Sequence, residues 1–231
     1  MRTALITGAG RGIGHHVALQ LAAEPMRLVL VARSIDELRA TASAVEALGG
    51  QAHCVTADLA DATQLEAAAA QAIEHLDGRL DVLINNAGIF DMRPLESLER
   101  GFWDRMLAVN LTAPTFLAKA CLPGLRASAK AGGSPVLVNV SSIAGEQGFP
   151  ENAAYCASKY GLRGLSDALR VELEPEGIAV RTVFPGGTDT SIFDDVAGDW
   201  DRSTMARPED VAALIASATQ SGAPDDLRMP T

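Results

Sequence analysis

Tyr155 and Lys159 are the pair of residues in this sequence whose spacing most directly suggests chemistry. On a helix, residues four apart lie on the same face, so the two side chains would be neighbours. A tyrosine hydroxyl has an ordinary pKa of about 10 and transfers protons poorly at neutral pH. A neighbouring ammonium group favours the phenolate and lowers that pKa, which would make the pair a general acid and base. A surface cation–π or hydrogen-bonded pair is the structural alternative.

A second chemical signal is the glycine cluster in Thr7–Gly14, which directly follows a strand-like run. Glycines at a strand-to-helix turn permit positive φ and let the backbone approach a pyrophosphate at the helix N-terminus. The positions do not fit Gly-x-Gly-x-x-Gly, and no lysine follows as a P-loop requires. They fit Thr-Gly-x-x-x-Gly-x-Gly, with Gly8, Gly12 and Gly14 as the glycines. A merely flexible turn is the alternative interpretation.

This glycine spacing resembles the cofactor loop of the short-chain dehydrogenase/reductase family. Further motifs of that family follow in the family's order: Asn85-Asn86-Ala87-Gly88, a helical Asn110, Ser142 at the end of a strand, Tyr155-x-x-x-Lys159, and Pro185-Gly186 with Thr190. The resemblance implies an oxidoreductase that interconverts a ketone or aldehyde and an alcohol by hydride transfer with a nicotinamide cofactor. It implies small-molecule substrates and a homodimer or homotetramer.

The resemblance also implies a role for each catalytic residue. Tyr155 would protonate the carbonyl oxygen in reduction and deprotonate the alcohol in oxidation, while Ser142 would hydrogen-bond the same oxygen. Lys159 would also hold the nicotinamide ribose, and Asn110 would anchor a water that links Lys159 to solvent. The ammonium and an oxidised nicotinamide together are expected to bring the tyrosine pKa to about 7–8. Strand alternation is expected to send Ser141 to the opposite side from Ser142.

The end of the second predicted strand bears on which nicotinamide cofactor binds. Proteins of this fold that bind NAD usually place an acidic residue there, which accepts from the ribose 2′-hydroxyl. This chain has Ala32 followed by Arg33, and Arg11 lies in the glycine loop. Two guanidinium groups could bind a 2′-phosphate, so the sequence predicts NADP(H) over NAD(H). A solvated Arg33 at a helix start is the alternative, and Asp58 with Leu59 resembles the family's adenine contacts.

The predicted ligand-binding residues therefore come from the whole chain. Those expected to bind the cofactor are Gly8, Arg11, Gly12, Ile13, Gly14, Arg33, Asp58, Leu59, Asn85, Ala87, Gly88, Tyr155, Lys159, Pro185, Gly186, Thr188 and Thr190. A substrate lid is expected at 189–206. Apolar residues of this lid and of two earlier loops are expected to line the substrate cleft: Ile192, Phe193, Trp200, Met205, Phe90, Met92 and Phe149. They predict a largely nonpolar substrate, although core packing would account for them as well.

The elements that must position these residues alternate along the chain. Short apolar runs lie at 3–7, 28–32, 52–56, 82–84, 136–140 and 180–184, and a last one is expected within 226–231. Helix-length segments lie near 12–24, 34–48, 61–77, 99–129, 152–174 and 208–221. Near-continuous apolar strands alternating with helices predict a doubly wound α/β fold of Rossmann type. We expect one domain over 1–231, with about seven mostly or wholly parallel strands and helices on both faces.

Composition excludes several other classes. The net charge of −10 would repel phosphate backbones, which argues against nucleic acid as a partner. The three cysteines and four histidines show neither a disulfide framework nor metal-ligand spacing, so no metal is expected. The apolar runs are too short to span a bilayer, and the expected location is the cytoplasm.

Two other functions remain open for this pattern. One is a cofactor-binding redox sensor without turnover, although such proteins often lack the tyrosine or the lysine that this chain retains. The other is an isomerase or dehydratase that uses the same cofactor transiently. Such relatives usually carry a larger substrate domain than 231 residues permit.

Overall fold

Seven strands form one sheet in residues 1–229, the part of the chain that the computed structural model describes. They are β1 (Arg2–Thr7), β2 (Met26–Ala32), β3 (Gln51–Thr56), β4 (Val82–Asn85), β5 (Val136–Val140), β6 (Ala179–Phe184) and β7 (Asp226–Arg228). The order is β3-β2-β1-β4-β5-β6-β7, and every pairing is parallel. This confirms the predicted parallel doubly wound sheet. Of the expected last strand, Pro230 and Thr231 lie outside the described residues.

Helices cover both faces of the sheet. They are α1 (Gly12–Leu21), α2 (Ile35–Ala47), α3 (Ala62–His75), α4 (Arg100–Leu107), α5 (Ala113–Lys130), α6 (Ala153–Leu173) and α7 (Pro208–Ser217). One apolar core joins the sheet to residues of α1, α2 and α7, such as Val17, Leu38 and Val211. A second core joins it to α3 and α5 through Leu65 and Leu117. Burial on both sides explains why the strands are almost continuously apolar.

The long central helix that the sequence predicts near 99–129 is present over Arg100–Lys130, but it is not a regular α-helix throughout. A π-helical turn, Ala108–Thr112, separates α4 from α5. Such turns insert an extra residue into the helix and are frequent at functional sites. The combined stretch Arg100–Lys130 is long and apolar enough, by length and composition alone, to cross a membrane. That test is also passed by core helices, and α5 contributes Leu117 and Leu125 to the second core.

The strand order reverses between β1 and β4, which are neighbours although they are far apart in the chain. The connections from these two strands therefore leave toward opposite faces of the sheet. Beyond the carboxyl ends of β1 and β4 this opens a crevice, where ligands of doubly wound folds bind. The predicted glycine loop follows β1, and the Asn85–Gly88 motif begins at the end of β4.

Candidate active site

The loop between β1 and α1 is shaped by its glycines. Gly8 has φ +65° and Gly12 has φ +55°, both in the left-handed region that side chains disfavour. A Cβ on Gly14 would lie 2.1 Å from the carbonyl oxygen of Gly8, so no larger residue fits there. The N-cap residue of α1, Arg11, makes no side-chain hydrogen bond to the helix start. The first backbone N–H groups of α1 therefore remain available to an anion.

A cleft runs along the carboxyl edge of the sheet and consists of two adjoining cavities of about 410 and 520 Å³. The larger one, which we call the loop cavity, is bordered by the glycine loop, Arg33 and Asp58. The smaller one, the tyrosine cavity, is bordered by Ser142, Tyr155 and Lys159. Six residues border both cavities and mark their junction: Ile13, Asn86, Gly88, Ile89, Thr190 and Ile192.

Tyr155 and Lys159 lie one turn apart on α6, as their spacing predicts. The Lys159 ammonium lies 5.7 Å from the centre of the Tyr155 ring and donates to the carbonyl oxygen of Val140 at 2.9 Å. Burial lowers the pKa of Lys159 to about 8. A lysine that is buried and engaged in this way is not a solvated surface cation.

In the free protein the pKa of Tyr155 lies above its ordinary value. Removal from water raises the pKa of Tyr155 to about 12, an effect that a hydrogen bond with Ser142 only partly offsets. The free protein therefore holds the phenol neutral. The value of about 7–8 is expected with both the Lys159 ammonium and an oxidised nicotinamide beside the ring, and it stays a prediction.

Ser142 lies just beyond β5, where its hydroxyl caps the short turn Ile143–Gly145 by accepting from the N–H of Ala144 at 3.1 Å. The neighbouring Ser141 also borders the tyrosine cavity, but its hydroxyl donates to the carbonyl oxygen of Lys159 at 3.1 Å. A Cβ on Gly145 would lie 2.8 Å from that same oxygen. Gly145 thus lets the serine-bearing loop rest directly on α6, which sets Ser142 against Tyr155.

Asn110 is fully buried in the π-helical turn and holds the backbone of the loop after β4. Its side-chain amide donates to the carbonyl oxygen of Ile89 at 2.9 Å, and its carbonyl oxygen accepts from the Ile89 N–H at 2.8 Å. A Cβ on Gly88 would lie 3.4 Å from that Asn110 oxygen and 3.7 Å from the Lys159 nitrogen. Asn110 therefore lies behind Gly88 and does not border either cavity. The water that it is expected to anchor stays a prediction.

All the predicted cofactor residues border the cleft except Asn85. Its side chain is buried and donates to Asn139 at 2.9 Å, so it joins β4 to β5. The next residue, Asn86, borders both cavities and donates to the carbonyl oxygen of Thr7 at 2.9 Å. The structure therefore places Asn86, and not Asn85, at the cleft. Alternation along a buried strand accounts for the difference, because it turns adjacent side chains to opposite sides.

Two charged residues of the loop cavity, Glu37 and Arg105, were missed by the sequence interpretation. Arg105 donates to both carboxylate oxygens of Asp58, at 3.2 and 2.9 Å. Although burial opposes the effect, the N–H of Ala60 and the Arg105 guanidinium lower the pKa of Asp58. Glu37 belongs to α2 and lies beside Arg11. Ser34 and Glu37 form a helix-capping pattern, but neither Glu37 nor Arg105 belongs to a ligand-binding motif, so only the packing of α2 and α4 places them at the cavity.

Aromatic rings form one wall of the tyrosine cavity. The Phe90 ring centre lies 4.9 Å from that of Tyr155 and 5.3 Å from that of Phe193. The Trp200 ring packs at a tilt against Phe193, with ring centres 4.8 Å apart, and its indole nitrogen donates to the carbonyl oxygen of Val196. Phe149, Met92 and Ile192 also border this cavity, whereas Met205 does not and instead packs near Gly187. The expected lid thus contributes two of the aromatic groups.

Ion pairs connect the beginning of the expected lid segment, residues 189–206, to its later part. Arg202 bridges Asp189 at 3.3 Å and Asp194 at 2.6 Å. A backbone bridge joins Thr188 to Ala206 at the two ends of the segment. Together with two short 3-10 turns, Ser191–Phe193 and Arg202–Thr204, these contacts place the aromatic residues of the lid over the cavity.

Comparison with known proteins supports the sequence resemblance. The model of the short chain dehydrogenase family matches residues 2–199. A galactitol 2-dehydrogenase from Agrobacterium fabrum is 33% identical over 230 residues, which are 98% of this chain and 87% of the relative. A 3beta-hydroxysteroid dehydrogenase from Mediterraneibacter gnavus is 36% identical over 196 residues, which are 84% of this chain and 69% of the relative.

A solved structure gives the same picture in three dimensions. A metagenomic short-chain oxidoreductase in complex with NADP superposes with a TM-score of 0.84 and 34% identity. The match covers 100% of this chain and 97% of that chain. The similarity therefore extends over all seven strands and over the segments that border the cleft.

Proposed function

The chain belongs to the short-chain dehydrogenase/reductase family of nicotinamide-dependent oxidoreductases, and from this premise we propose that it reduces a largely apolar ketone or aldehyde with NADPH, or oxidises the matching alcohol with NADP⁺. The observation that carries the proposal is the joined cleft. Ser142, Tyr155 and Lys159 lie in one cavity, and the glycine loop with Arg11 and Arg33 lies in the other.

The residues of the cleft fit a dinucleotide. The positive φ of Gly8 and Gly12 and the close approach at Gly14 create a cradle that a side chain would fill. The uncapped start of α1 supplies N–H groups for a pyrophosphate. Gly88 and Gly186 border the tyrosine cavity where a nicotinamide ring has to reach Tyr155. When bound, the nicotinamide supplies or accepts the hydride.

In the proposed mechanism Tyr155 donates its hydroxyl proton to the carbonyl oxygen of the substrate in reduction and recovers it in oxidation. Ser142 donates a hydrogen bond to the same oxygen and stabilises the charge that develops there. Lys159, anchored to the Val140 carbonyl, supplies a positive charge that favours the phenolate and binds the ribose of the cofactor. Asn110 positions the backbone of Ile89 and Gly88, and Gly88 lies between Asn110 and Lys159.

The preference for NADP(H) rests on the charges of the loop cavity. Arg33 is exposed, borders this cavity and forms no ion pair within 4.0 Å among residues 1–229. A free guanidinium at the end of β2 is suited to bidentate binding of a 2′-phosphate. The aromatic wall of Phe90, Phe193 and Trp200 supports an apolar substrate.

Turnover of NADPH with a panel of ketones, aldehydes and quinones tests the proposal. We expect consumption with at least one apolar carbonyl compound and its loss in Tyr155→Phe, with Tyr160→Phe on the exposed side of α6 as the matched control. Tight NADPH binding without turnover across the panel would instead indicate the redox sensor. Release of a rearranged or dehydrated product without net NADPH consumption would indicate the isomerase or dehydratase.

The cofactor preference has its own test. Arg33→Asp should raise the KM for NADPH far more than the KM for NADH, and an unchanged ratio would contradict the role of Arg33. We also propose a single catalytic domain over 1–231 from the alternation of strands and helices, and a cytoplasmic location from the cysteine usage. On the family resemblance alone, we propose a homodimer or homotetramer. Light scattering on the purified chain measures the assembly state.

A further inference from the structure

The loop cavity contains a carboxylate beside the cations that are proposed to bind the 2′-phosphate. Glu37 borders this cavity, and its Oε1 lies 3.8 Å from a guanidinium nitrogen of Arg11. Both side chains are partly exposed, Arg11 by 57% and Glu37 by 40%. The sequence around the end of β2, where Ala32 precedes Arg33, does not indicate Glu37 as a residue of this cavity.

The position of Glu37 follows from the local geometry of two segments. The hydroxyl of Ser34 accepts from the N–H of Glu37 at 3.3 Å, so the residue lies in the first turn of α2. On the facing loop, a Cβ on Gly10 would lie 2.9 Å from Cβ of Glu37 and 3.1 Å from its Oε2. The absent side chain at Gly10 therefore lets the carboxylate lie directly against the glycine loop.

The charges of this cavity form two pairs and one remaining cation. Arg105 is paired with Asp58 at 2.9 Å, and Arg11 is paired with Glu37. Arg33 forms no ion pair within 4.0 Å among the described residues. A 2′-phosphate would thus meet one unpaired guanidinium and a second that already faces a carboxylate.

We propose that Glu37 is a specificity-determining residue that weakens the binding of a 2′-phosphate and favours a free ribose 2′-hydroxyl. Glu37 repels the phosphate and competes for Arg11, whereas a hydroxyl can donate a hydrogen bond to the same carboxylate. The enzyme then accepts NAD(H) as well as NADP(H), with Arg33 favouring one and Glu37 the other. This inference rests on the proposed nicotinamide-dependent function.

Adenosine 2′,5′-bisphosphate and AMP test the inference without any turnover, because they differ only in the 2′-phosphate. In calorimetric titrations at low salt, Glu37→Gln should tighten binding of the bisphosphate about tenfold, a gain of about 1.4 kcal/mol. Binding of AMP should weaken or stay the same. The matched control is Asp36→Asn, which removes a charge from the same helical turn at a side chain that is 90% exposed and faces Arg39.

The outcomes of these titrations separate the competing explanations. Unchanged bisphosphate affinity in Glu37→Gln would overturn the proposal, because the carboxylate would then not affect the phosphate. An equal gain in Asp36→Asn would also overturn it, because only general charge would then matter. If Glu37 acts partly through Arg11, the gain should shrink in an Arg11→Gln background. Wild-type protein that binds neither probe nor NADPH would contradict the proposed function itself. A protein that binds NADPH but is indifferent to Glu37→Gln would contradict this inference alone.

Discussion

Arg228 on β7 binds the carboxylate of Glu146, and its Nε donates to the two carboxylate oxygens at 3.2 and 2.9 Å. Glu146 follows the turn that Ser142 caps, and it also pairs with Arg163 of α6 at 3.3 Å. Both guanidinium groups lie over the ring of Phe184, at 4.9 and 5.6 Å from its centre. Because Phe184 directly precedes Pro185 and Gly186, this cluster joins the serine loop, the tyrosine helix and the loop after β6.

The cluster predicts that Glu146 is a positioning residue for Ser142. Glu146→Gln should lower kcat about tenfold, a barrier increase of about 1.4 kcal/mol, with little change in the Kd for NADPH. The control is Glu176→Gln, which removes a similar bidentate pair with Arg126 away from the cleft. Steady-state kinetics and nucleotide titration of both variants measure the effect. Equal kcat losses in the two variants would show that Glu146 has no special relation to the site.

The raised pKa of Tyr155 predicts a neutral phenol in the free protein across the neutral range. The chain has two tyrosines, so Tyr155→Phe and Tyr160→Phe isolate each contribution to the absorbance at 295 nm. Below about pH 10.5 Tyr155 should contribute no phenolate, so the wild type and Tyr155→Phe should show the same phenolate absorbance. Saturating NADP⁺ should shift the Tyr155 ionisation to lower pH, since its positive ring favours the phenolate. A phenolate of Tyr155 at pH 8 without nucleotide would be inconsistent with this.

The lowered pKa of Lys159 predicts how stability depends on pH. The pKa is about 8 in the folded chain against an ordinary value of 10.5, so below pH 8 the buried ammonium costs stability in full. Between these two values the folded state releases its proton first, and the free energy of unfolding rises with pH. The cost disappears above the unfolded value, and it amounts to about 3 kcal/mol.

Lys159→Met does not titrate at this position and therefore provides the comparison. Between pH 7 and pH 10, the unfolding free energy of the wild type should gain about 2–3 kcal/mol relative to the variant. Urea unfolding at several pH values measures the difference, in which alkaline effects elsewhere in the chain cancel. A difference that stays constant with pH would mean that Lys159 has an ordinary pKa in the folded protein.

Trp200 is predicted to select bulky apolar substrates. Its ring packs against Phe193 and Phe90, so Trp200→Ala removes part of the aromatic wall of the tyrosine cavity. The KM for a ring ketone should rise about tenfold, whereas that for a small linear ketone should change little. The control is Trp103→Ala, which removes the other tryptophan of the chain, a half-buried residue on α4 outside both cavities. An equal rise for both ketones, or an effect of the control, would contradict the selection.

The sequence by itself determined the fold and the main features of the cleft, because both depend on local patterns. Continuous apolar runs alternating with helix-length segments specify a parallel sheet that is covered on both faces. The glycine spacing specifies where the backbone can turn with positive φ, as Gly8 and Gly12 do. The helical period alone brings Tyr155 and Lys159 to one face of α6.

The tertiary structure alone decided which charges meet and how water is excluded. Arg228 and Glu146 are 82 positions apart, and Arg105 and Asp58 are 47 apart, so no spacing in the sequence indicates either pair. The π-helical turn at Asn110 and the burial of Asn85 likewise depend on what the neighbouring segments offer. The pKa of Tyr155 is set by removal from water, which is a property of the enclosing protein. The local periodicity of a helix or strand fixes the side to which each of its side chains points. Solvation and ion pairing depend instead on how the elements pack against one another.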